Sequence, residues 1–229
     1  QVSCREHHVR RVLARHGIKV TAYTAALGGV KAEKRDLEEI GRNPFFCPDA
    51  RAAARMEERI SRVRSEGDTL GGIVEITAVC PAGLGEPVFD KLDGELARAL
   101  MSIGAVKGVE IGAGFRAAEM RGSENNDPIT PEGFLSNNAG GTLAGISSGD
   151  PLLLRVAVKP IPSINKEQQT VNLDNEAVSV TVGGRHDISA IPRIVPVCEA
   201  MVRMTLADHL LRQLVITGDR YGARKDAGR

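Results

Sequence analysis

The chain of 229 residues is 42% hydrophobic and 26% charged, and its 30 Lys and Arg residues nearly balance its 29 Asp and Glu residues. These values are typical of a soluble globular protein with one large or two small domains, and they exclude a disordered chain or a small disulfide-stapled domain. The net charge of +1 and an aromatic content of five Phe, two Tyr and no Trp do not favour a nucleic-acid partner. No apolar run reaches about 18 residues, so we expect no membrane partner.

The chain contains four scattered cysteines: Cys4, Cys47, Cys80 and Cys198. They form neither a C-x-x-C motif nor a zinc-binding spacing, and we predict reduced thiols and no metal site, with two disulfides as the alternative. His7, His8 and His16 are interpreted as solvated side chains rather than metal ligands. The polar, basic first residues do not resemble a secretory signal. Together these features favour a cytoplasmic protein.

Secondary structure follows from runs rich in β-branched residues and from apolar residues at helical spacing. The predicted strands are 18–27, 73–79, 108–115, 152–160 and 177–183. Three helices are predicted. The first follows an N-cap at Asp49, the second runs from about Val88 to Ile103, and the third begins near Ile191. The residues predicted to face the interior are Ala53, Met56, Ile60 and Val63 in the first helix, Phe89, Leu92, Leu96, Leu100 and Ile103 in the second, and Ile194, Val197, Met201, Met204, Leu211 and Leu214 in the third. Because the elements show no βαβ rhythm, the predicted fold class is α+β.

Two stretches could approach a ligand through their backbone or their strand end. The polar loop 121–150 contains the glycines Gly140, Gly141 and Gly145, which would allow close approach to a ligand, although composition alone favours a surface loop. Lys159 and Ser163 follow a strong strand and could contact an anion. A rim lysine before a rigid Pro turn is the alternative.

The densest group of chemically active residues is GGRHD at 183–187. Arg185 can form paired hydrogen bonds to a phosphate or carboxylate. His186 is a candidate proton donor or acceptor, and Asp187 can orient a partner or exchange a proton. A hairpin turn with a surface charge pair is the alternative. The residues alone therefore indicate a soluble α+β domain with an anion-binding, Gly-rich surface.

Ten segments occur in the order in which one family has them. They are NPFFCPD (43–49), EGDTLGG (66–72), PAGLGEPVFDKLD (81–93), ALMSIGAVKGVEIGAGF (99–115), RGSENND (121–127), SNNAGGTLAGISSG (136–149), VAVKPIPSI (156–164), GGRHD (183–187), PRIVPVCEAM (192–201) and LADHLLRQ (206–213). From about Gly17 to Gln213 the chain resembles the C-terminal two-thirds of a bacterial-type chorismate synthase. The resemblance implies a β-α-β sandwich, incomplete in this chain, that assembles as a homotetramer.

The resemblance also implies a lyase of the shikimate pathway and of aromatic amino acid biosynthesis. The implied reaction is the anti-1,4-elimination of phosphate from 5-enolpyruvylshikimate 3-phosphate, which gives chorismate. Reduced FMN is required although there is no net redox change, and NADP is associated with members that reduce their own flavin. Such a site must hold a trianionic substrate against the flavin and stabilise the departing phosphate.

Matched residue by residue, the resemblance implies a set of flavin contacts: Gly104, Ala105, Ala144, Lys159, Pro160, Ile161, Pro162, Ser163 and Arg185. Ala144 stands where the family usually has Gly. Asp187 corresponds to the family's Asp that handles a proton near the flavin, and His186 is assigned as a second catalytic residue. Arg5, in the SCRE segment, corresponds to an arginine that meets the anionic groups of the substrate.

The chain departs from the family pattern in two places. The family's N-terminal third, with its G-E-S-H-G and H-A-D segments, has no counterpart, and the family's GGRHDPC reads GGRHDIS. We therefore divide the chain into a divergent N-terminal segment (1–16), a family core (17–216) and a polar tail (217–229). An active chorismate synthase is the first hypothesis. The alternatives are a catalytically incompetent truncated fragment that at most scaffolds folding or assembly, and a generic flavin- or anion-binding module.

Overall fold

The computed structural model describes residues 2–218, with side chains from residue 8 onward. The helices are α1 (Val2–Arg15), α2 (Ala50–Ser65), α3 (Leu92–Met101), α4 (Gly122–Asn125) and α5 (Ile191–Thr217). The strands are β1 (Lys19–Leu27), β2 (Val30–Lys31), β3 (Gly72–Val79), β4 (Val106–Ile111), β5 (Ile129–Thr130), β6 (Gly133–Phe134), β7 (Thr142–Leu143), β8 (Ile146–Ser147), β9 (Leu152–Val158), β10 (Gln168–Val171) and β11 (Ala177–Val180). The structure therefore mixes helices and strands, as the sequence predicted.

The largest sheet has five strands in the order β2-β1-β3-β9-β4. In its hairpin, β1 and β2 are antiparallel, with Leu27 opposite Val30. The turn between them consists of Gly28 and Gly29, which have φ values of 56° and 86°. A two-residue hairpin of this kind requires positive φ at both positions, which is why the strand ends where the sequence has two glycines.

The chain divides into two compact units. Within the described residues, the first unit comprises 2–22, 75–156 and 196–218, and the second comprises 23–74 and 157–195. Strands β1, β3 and β9 and helix α5 each contribute residues to both units. Neither unit is therefore a continuous stretch of the chain.

Helix α2 begins at the predicted cap. The Asp49 carboxylate accepts hydrogen bonds from two backbone N–H groups of the first turn. The predicted interior residues Ala53, Met56 and Val63 are buried, and Ile60 is half-buried. A narrow apolar stripe on an otherwise charged helix has one way to face the core, so the prediction is confirmed.

Helix α3 is shorter than predicted. Val88 has a φ of 72°, and Phe89 is 89% exposed, so the prediction that Phe89 faces the interior is wrong. The left-handed backbone at Val88 belongs to a turn before the helix, in which the N–H of Glu86 donates to the carbonyl of Asp90. The predicted interior residues Leu92, Leu96 and Leu100 are buried, and Ile103 is half-buried after the helix ends.

Helix α5 begins at Ile191 as predicted, but its buried face is not the predicted one. Of the predicted interior residues, Ile194 is buried, Met201 and Leu214 are half-buried, and Val197, Met204 and Leu211 are 38%, 41% and 54% exposed. The fully buried face instead includes Ile191, Val195, Cys198, Val202, Leu206 and Leu210. Because α5 carries apolar residues on every side, spacing alone does not select a face.

A buried arginine on α5 connects this helix to the start of the sheet. Arg203 is only 8% exposed. Its guanidinium pairs with Glu199 one turn earlier and donates a hydrogen bond of 3.3 Å to the carbonyl of Val20 in β1. This bond joins positions that are 183 residues apart. It fixes β1 and α5 together within the first unit.

Two further predictions hold in shortened form. The strand predicted at 108–115 is β4, which ends at Ile111, and that predicted at 177–183 is β11, which ends at Val180. β11 pairs only with β10, in a two-stranded sheet. Thr217, predicted as the start of the tail, closes α5, and residues from 219 onward lie outside the described part of the chain. No helix within residues 2–218 combines the length and apolar character needed to cross a membrane.

Candidate functional site

Three of the family-like segments meet in the second unit. Residues from 64–69, 163–165 and 184–188 line one cavity of about 450 Å³, which we call the GGRHD cavity. A backbone hydrogen bond of 3.0 Å from the N–H of Asn165 to the carbonyl of Gly67 joins the first two segments. These segments are separated by about a hundred residues in sequence. The fold therefore assembles a ligand-sized cavity from distant parts of the chain.

The EGDTLGG segment is held from both sides. The Thr69 hydroxyl donates a hydrogen bond of 2.6 Å to the carbonyl of Ile161. On the other side, the N–H of Leu70 donates to the carbonyl of Ile188 at 2.7 Å. Thr69 is only 8% exposed, so its hydroxyl provides a buried link to the strand-end segment. These bonds fix the walls of the GGRHD cavity relative to one another.

A glycine is required where this segment passes the end of β9. A Cβ placed on Gly71 would lie 2.5 Å from the carbonyl oxygen of Val158 and 3.0 Å from Cδ of Pro160. Real Cβ atoms do not approach a backbone oxygen so closely. Glycine at 71 therefore lets the segment pack directly against the chain that leads into the predicted anion-binding strand end.

The predicted residues at 159–163 differ in their exposure. Ser163 lines the GGRHD cavity. Lys159, Pro160 and Pro162 are exposed, whereas Ile161 is half-buried and its carbonyl accepts the Thr69 bond. The strand end therefore offers a hydroxyl to the cavity.

Both carboxylates of the cavity are paired with cations. Asp68 accepts a hydrogen bond of 2.6 Å from Lys166, and this bond, with the N–H of Thr69, lowers the pKa of Asp68. Asp187 forms a two-pronged pair with Arg193 in the first turn of α5, with N–O distances of 2.8 and 3.2 Å. Asp187 is thus paired with a residue outside GGRHD, and this pair orients its carboxylate.

The donors that remain in the cavity are cationic or neutral. Within the described residues, the side chains of Arg64 and Arg185 form no hydrogen bond or ion pair. The Nε2 atom of His186 is buried and also has no hydrogen-bond partner in that part of the chain. Since both acids are neutralised, the unpaired groups make the GGRHD cavity suited to an anion.

The other predicted flavin contacts lie in the first unit. Gly104 and Ala105 form the turn between α3 and β4, and Ala144 lies at the tip of the β7–β8 hairpin. The N–H of Leu92, at the start of α3, donates to the carbonyl of Gly145 at 2.8 Å. Ala144 and the 104–105 turn are therefore near opposite ends of a ten-residue helix, which is about 15 Å long.

Two of these positions have a conformation that favours glycine. Ala105 and Ala144 have φ values of 72° and 51°. Non-glycine residues in this region are strained, and such strain is concentrated at functional sites. The strain at Ala144 agrees with the family's usual Gly at this position.

The glycines of the polar loop serve the chain's own packing. A Cβ on Gly140 would lie 2.4 Å from the backbone nitrogen of Gly112, and one on Gly141 would lie 2.6 Å from the carbonyl oxygen of Pro151. For Gly145 the obstacle is the side chain of Lys91 at 2.5 Å. These glycines therefore allow close packing within the chain, whereas the sequence suggested close approach to a ligand.

A half-buried carboxylate orders the same loop. Asp127 accepts hydrogen bonds from the hydroxyl of Ser136 and from the N–H groups of Asn138 and Ala139, at 2.6 to 2.8 Å. Burial raises the pKa of Asp127, but these donors outweigh burial and lower its pKa below the ordinary value. The RGSENND and SNNAGG segments therefore form one ordered structure rather than a loose surface loop.

The predicted substrate contact Arg5 has a side chain outside the described residues; the backbone there belongs to α1. Two residues of the GGRHD cavity and its rim, Arg64 and Arg193, were not singled out by sequence. The only signal for either is basic character, which many surface positions share.

The protein thus has mixed α and β structure and a cavity whose wall carries unpaired guanidinium groups. A family model described as chorismate synthase matches residues 7–211, and the chain therefore belongs to the chorismate synthase family. The match begins within the segment that the sequence analysis set apart as divergent.

Curated relatives and a solved structure agree with this assignment. The chain is 64% identical over 203 residues to chorismate synthase of Syntrophobacter fumaroxidans, covering 88% of this chain and 58% of the relative. It is 62% identical to that of Desulfatibacillum aliphaticivorans, covering 88% and 57%. A crystal structure of a chorismate synthase superimposes with a TM-score of 0.75 at 32% identity, covering 91% of this chain and 62% of that one. The chain thus spans about 58% of the length of the curated relatives it matches.

Proposed function

We propose that the chain acts as a chorismate synthase, eliminating phosphate from 5-enolpyruvylshikimate 3-phosphate in the presence of reduced FMN to give chorismate. The observation that carries the proposal is the GGRHD cavity, whose wall carries the unpaired guanidinium groups of Arg64 and Arg185. A substrate with a phosphate and two carboxylates needs such donors. The elimination breaks the C–O bond to phosphate and removes one ring proton, so the site must hold a leaving anion and handle a proton.

The residues of the GGRHD cavity suit both tasks. The Arg185 guanidinium presents several N–H donors in a fixed plane, which matches the oxygens of a phosphate. The Asp187 carboxylate is held in one orientation by Arg193 and can accept or return a proton at Oδ1 or Oδ2. The unpartnered Nε2 of His186 offers a further hydrogen-bonding position. We assign proton handling to Asp187 and His186.

The cavity also fits one end of the proposed cofactor. The unpaired Arg185 guanidinium suits the phosphate group of FMN, and Ser163 adds a hydroxyl. When bound, reduced FMN would supply an electron transiently to the substrate without net redox change. The residues proposed to hold it are Gly104, Ala105, Ala144, Lys159, Pro160, Ile161, Pro162, Ser163 and Arg185.

A cytoplasmic homotetramer is part of the same proposal. Exposed apolar side chains such as Phe89, at 89% exposure, are available for contacts between its subunits.

One observation favours a second candidate. The segment beside the cavity reads GGRHDIS where the family has GGRHDPC. The alternative is a chain that keeps the family fold and at most scaffolds folding or assembly without turnover.

An anaerobic assay separates the two candidates. The full chain is mixed with chemically reduced FMN and 5-enolpyruvylshikimate 3-phosphate, and chorismate is quantified. We expect product, and we expect Asp187→Asn to lose about 100-fold or more in rate. Asp174→Asn removes the same charge from the exposed loop between β10 and β11 and should keep the unsubstituted rate. Absence of chorismate while FMN still binds would contradict the proposal and favour the scaffold.

A further inference from the structure

We infer that Arg64, with Arg185 and His186, binds a phosphate monoester in the GGRHD cavity. Neither the family resemblance nor the sequence motifs single out Arg64. The inference rests on the proposed function for the choice of ligand, because FMN and 5-enolpyruvylshikimate 3-phosphate both carry a phosphate monoester. The unpaired charge on the cavity wall follows from the arrangement of its side chains alone.

The position of Arg64 follows from the end of α2. The helix closes with a turn in which the N–H of Gly67 donates to the carbonyl of Arg64 at 3.1 Å, with Gly67 at a φ of 69°. The Gly67 carbonyl then accepts the N–H of Asn165. This turn brings the last part of α2 to the wall of the cavity, and Arg64 is one of its lining residues.

The neighbouring arginine on the same turn behaves differently. Arg62 pairs with Glu66 at 3.1 Å, and its side chain is 73% exposed. Residues two positions apart on a helix are about 200° apart around its axis, so Arg62 and Arg64 lie on nearly opposite sides. Of these two arginines, Arg64 lines the cavity and forms no hydrogen bond or ion pair with the described residues.

The balance of charge in the cavity identifies the class of ligand. Asp68 is neutralised by Lys166 and Asp187 by Arg193. Two guanidinium groups, those of Arg64 and Arg185, therefore remain uncompensated on the cavity wall. A phosphate monoester carries close to two negative charges at neutral pH, and guanidinium groups bind its oxygens through paired hydrogen bonds. The ligand charge then matches the charge that the cavity leaves unpaired.

The inference is tested with Arg64→Gln and a matched control, Arg62→Gln, both in the full chain. The control removes the same charge two residues earlier on α2, on the opposite side of the helix and outside the cavity. Equilibrium binding is measured for FMN, for riboflavin, which lacks the phosphate, for 5-enolpyruvylshikimate 3-phosphate and for inorganic phosphate. We expect Arg64→Gln to weaken binding of at least one phosphate monoester about tenfold, with Arg62→Gln within about twofold of the unsubstituted chain. The loss should shrink at high salt, because screening weakens the charge contribution.

The arms of the experiment distinguish the source of the phosphate. Weaker binding of FMN with unchanged binding of riboflavin assigns Arg64 to the flavin phosphate. Weaker binding of 5-enolpyruvylshikimate 3-phosphate with unchanged FMN assigns it to the substrate phosphate. Equal effects of the two substitutions, or no binding of any phosphate compound by the unsubstituted chain, would overturn the inference. Phosphate binding that depends on Arg64 without chorismate formation would instead remove the proposed activity and leave the inference intact.

Discussion

Replacing Asp49 with Ala should destabilise the second unit more than any exposed acid-to-alanine change. The Asp49 carboxylate is 5% exposed and accepts four backbone hydrogen bonds. Two come from Arg51 and Ala52 in the first turn of α2, at 3.0 and 3.2 Å. The other two come from Glu33 and Lys34, at 3.0 and 3.2 Å. One side chain thus caps a helix and holds a separate loop.

The expected loss can be estimated from these bonds. Removal of an N-cap acceptor costs about 1 kcal/mol, and each of the two hydrogen bonds from the loop to the charged acceptor adds about 1 kcal/mol. Asp49→Ala should therefore lower the free energy of unfolding by about 3 kcal/mol. Burial raises the pKa of Asp49, but the four amide donors outweigh burial, and the pKa lies below its ordinary value. The stability that the carboxylate contributes is therefore present above the pKa of the unfolded chain. It is lost as the pH falls through the lowered pKa of the folded chain.

Urea unfolding followed by far-ultraviolet circular dichroism measures the loss, and amide hydrogen exchange at Glu33 and Lys34 locates it. Asp36→Ala is the control, because among the described residues the exposed Asp36 carboxylate accepts one hydrogen bond, from the N–H of Glu38 at 2.9 Å. It should change stability by no more than about 0.5 kcal/mol. Equal destabilisation by the two substitutions, or unchanged exchange at positions 33 and 34, would refute the reasoning.

Three further outcomes are expected. Gly104→Ala should leave the melting temperature unchanged, because a Cβ there meets no chain atom within 4 Å. The same substitution should weaken FMN binding. Unchanged FMN affinity would remove Gly104 from the proposed site. Ala144→Gly should raise the free energy of unfolding in urea by about 1 kcal/mol by relieving the left-handed strain at a φ of 51°, and an unchanged value would contradict the strain. Burial raises the pKa of Cys80 to about 11 and that of Cys198 to about 12, so neither thiol should react with iodoacetamide at pH 8 until the chain unfolds. Mass spectrometry of the native chain reports this, and rapid labelling of either thiol would be the opposite result.

Local elements were predictable where the sequence left one choice. Asp49 and the narrow stripe behind it determine both the start and the buried side of α2. The two glycines after Leu27 can form a tight hairpin, so the end of β1 was also readable. In both cases a short stretch of chain contains all the information that its structure needs.

Prediction failed where packing between distant segments decides. Phe89 was placed inside because of its hydrophobicity, yet it lies in a turn set by the left-handed backbone of Val88. The buried side of α5 carries Arg203 and His209, at 8% and 3% exposure. A hydropathy pattern assigns such polar residues to solvent. Their burial depends on partners such as the carbonyl of Val20, which the local sequence of α5 does not contain.

The candidate site was partly readable for the same reason. Arg185, His186 and Asp187 are adjacent in sequence, so their joint role could be proposed from one segment. Arg64 is one of five arginines on α2, and nothing local distinguishes it from the others. Its place in the cavity depends on the return of the chain about a hundred residues later.

The bond from Arg203 to Val20 also sets an order for biosynthesis. The ribosome releases β1 well before α5, and the two partners are 183 residues apart. At about 5 to 20 residues per second, the strand waits roughly 10 to 40 s for its helix. The first unit therefore closes only late in translation, and β1 must stay out of wrong strand pairings during that interval.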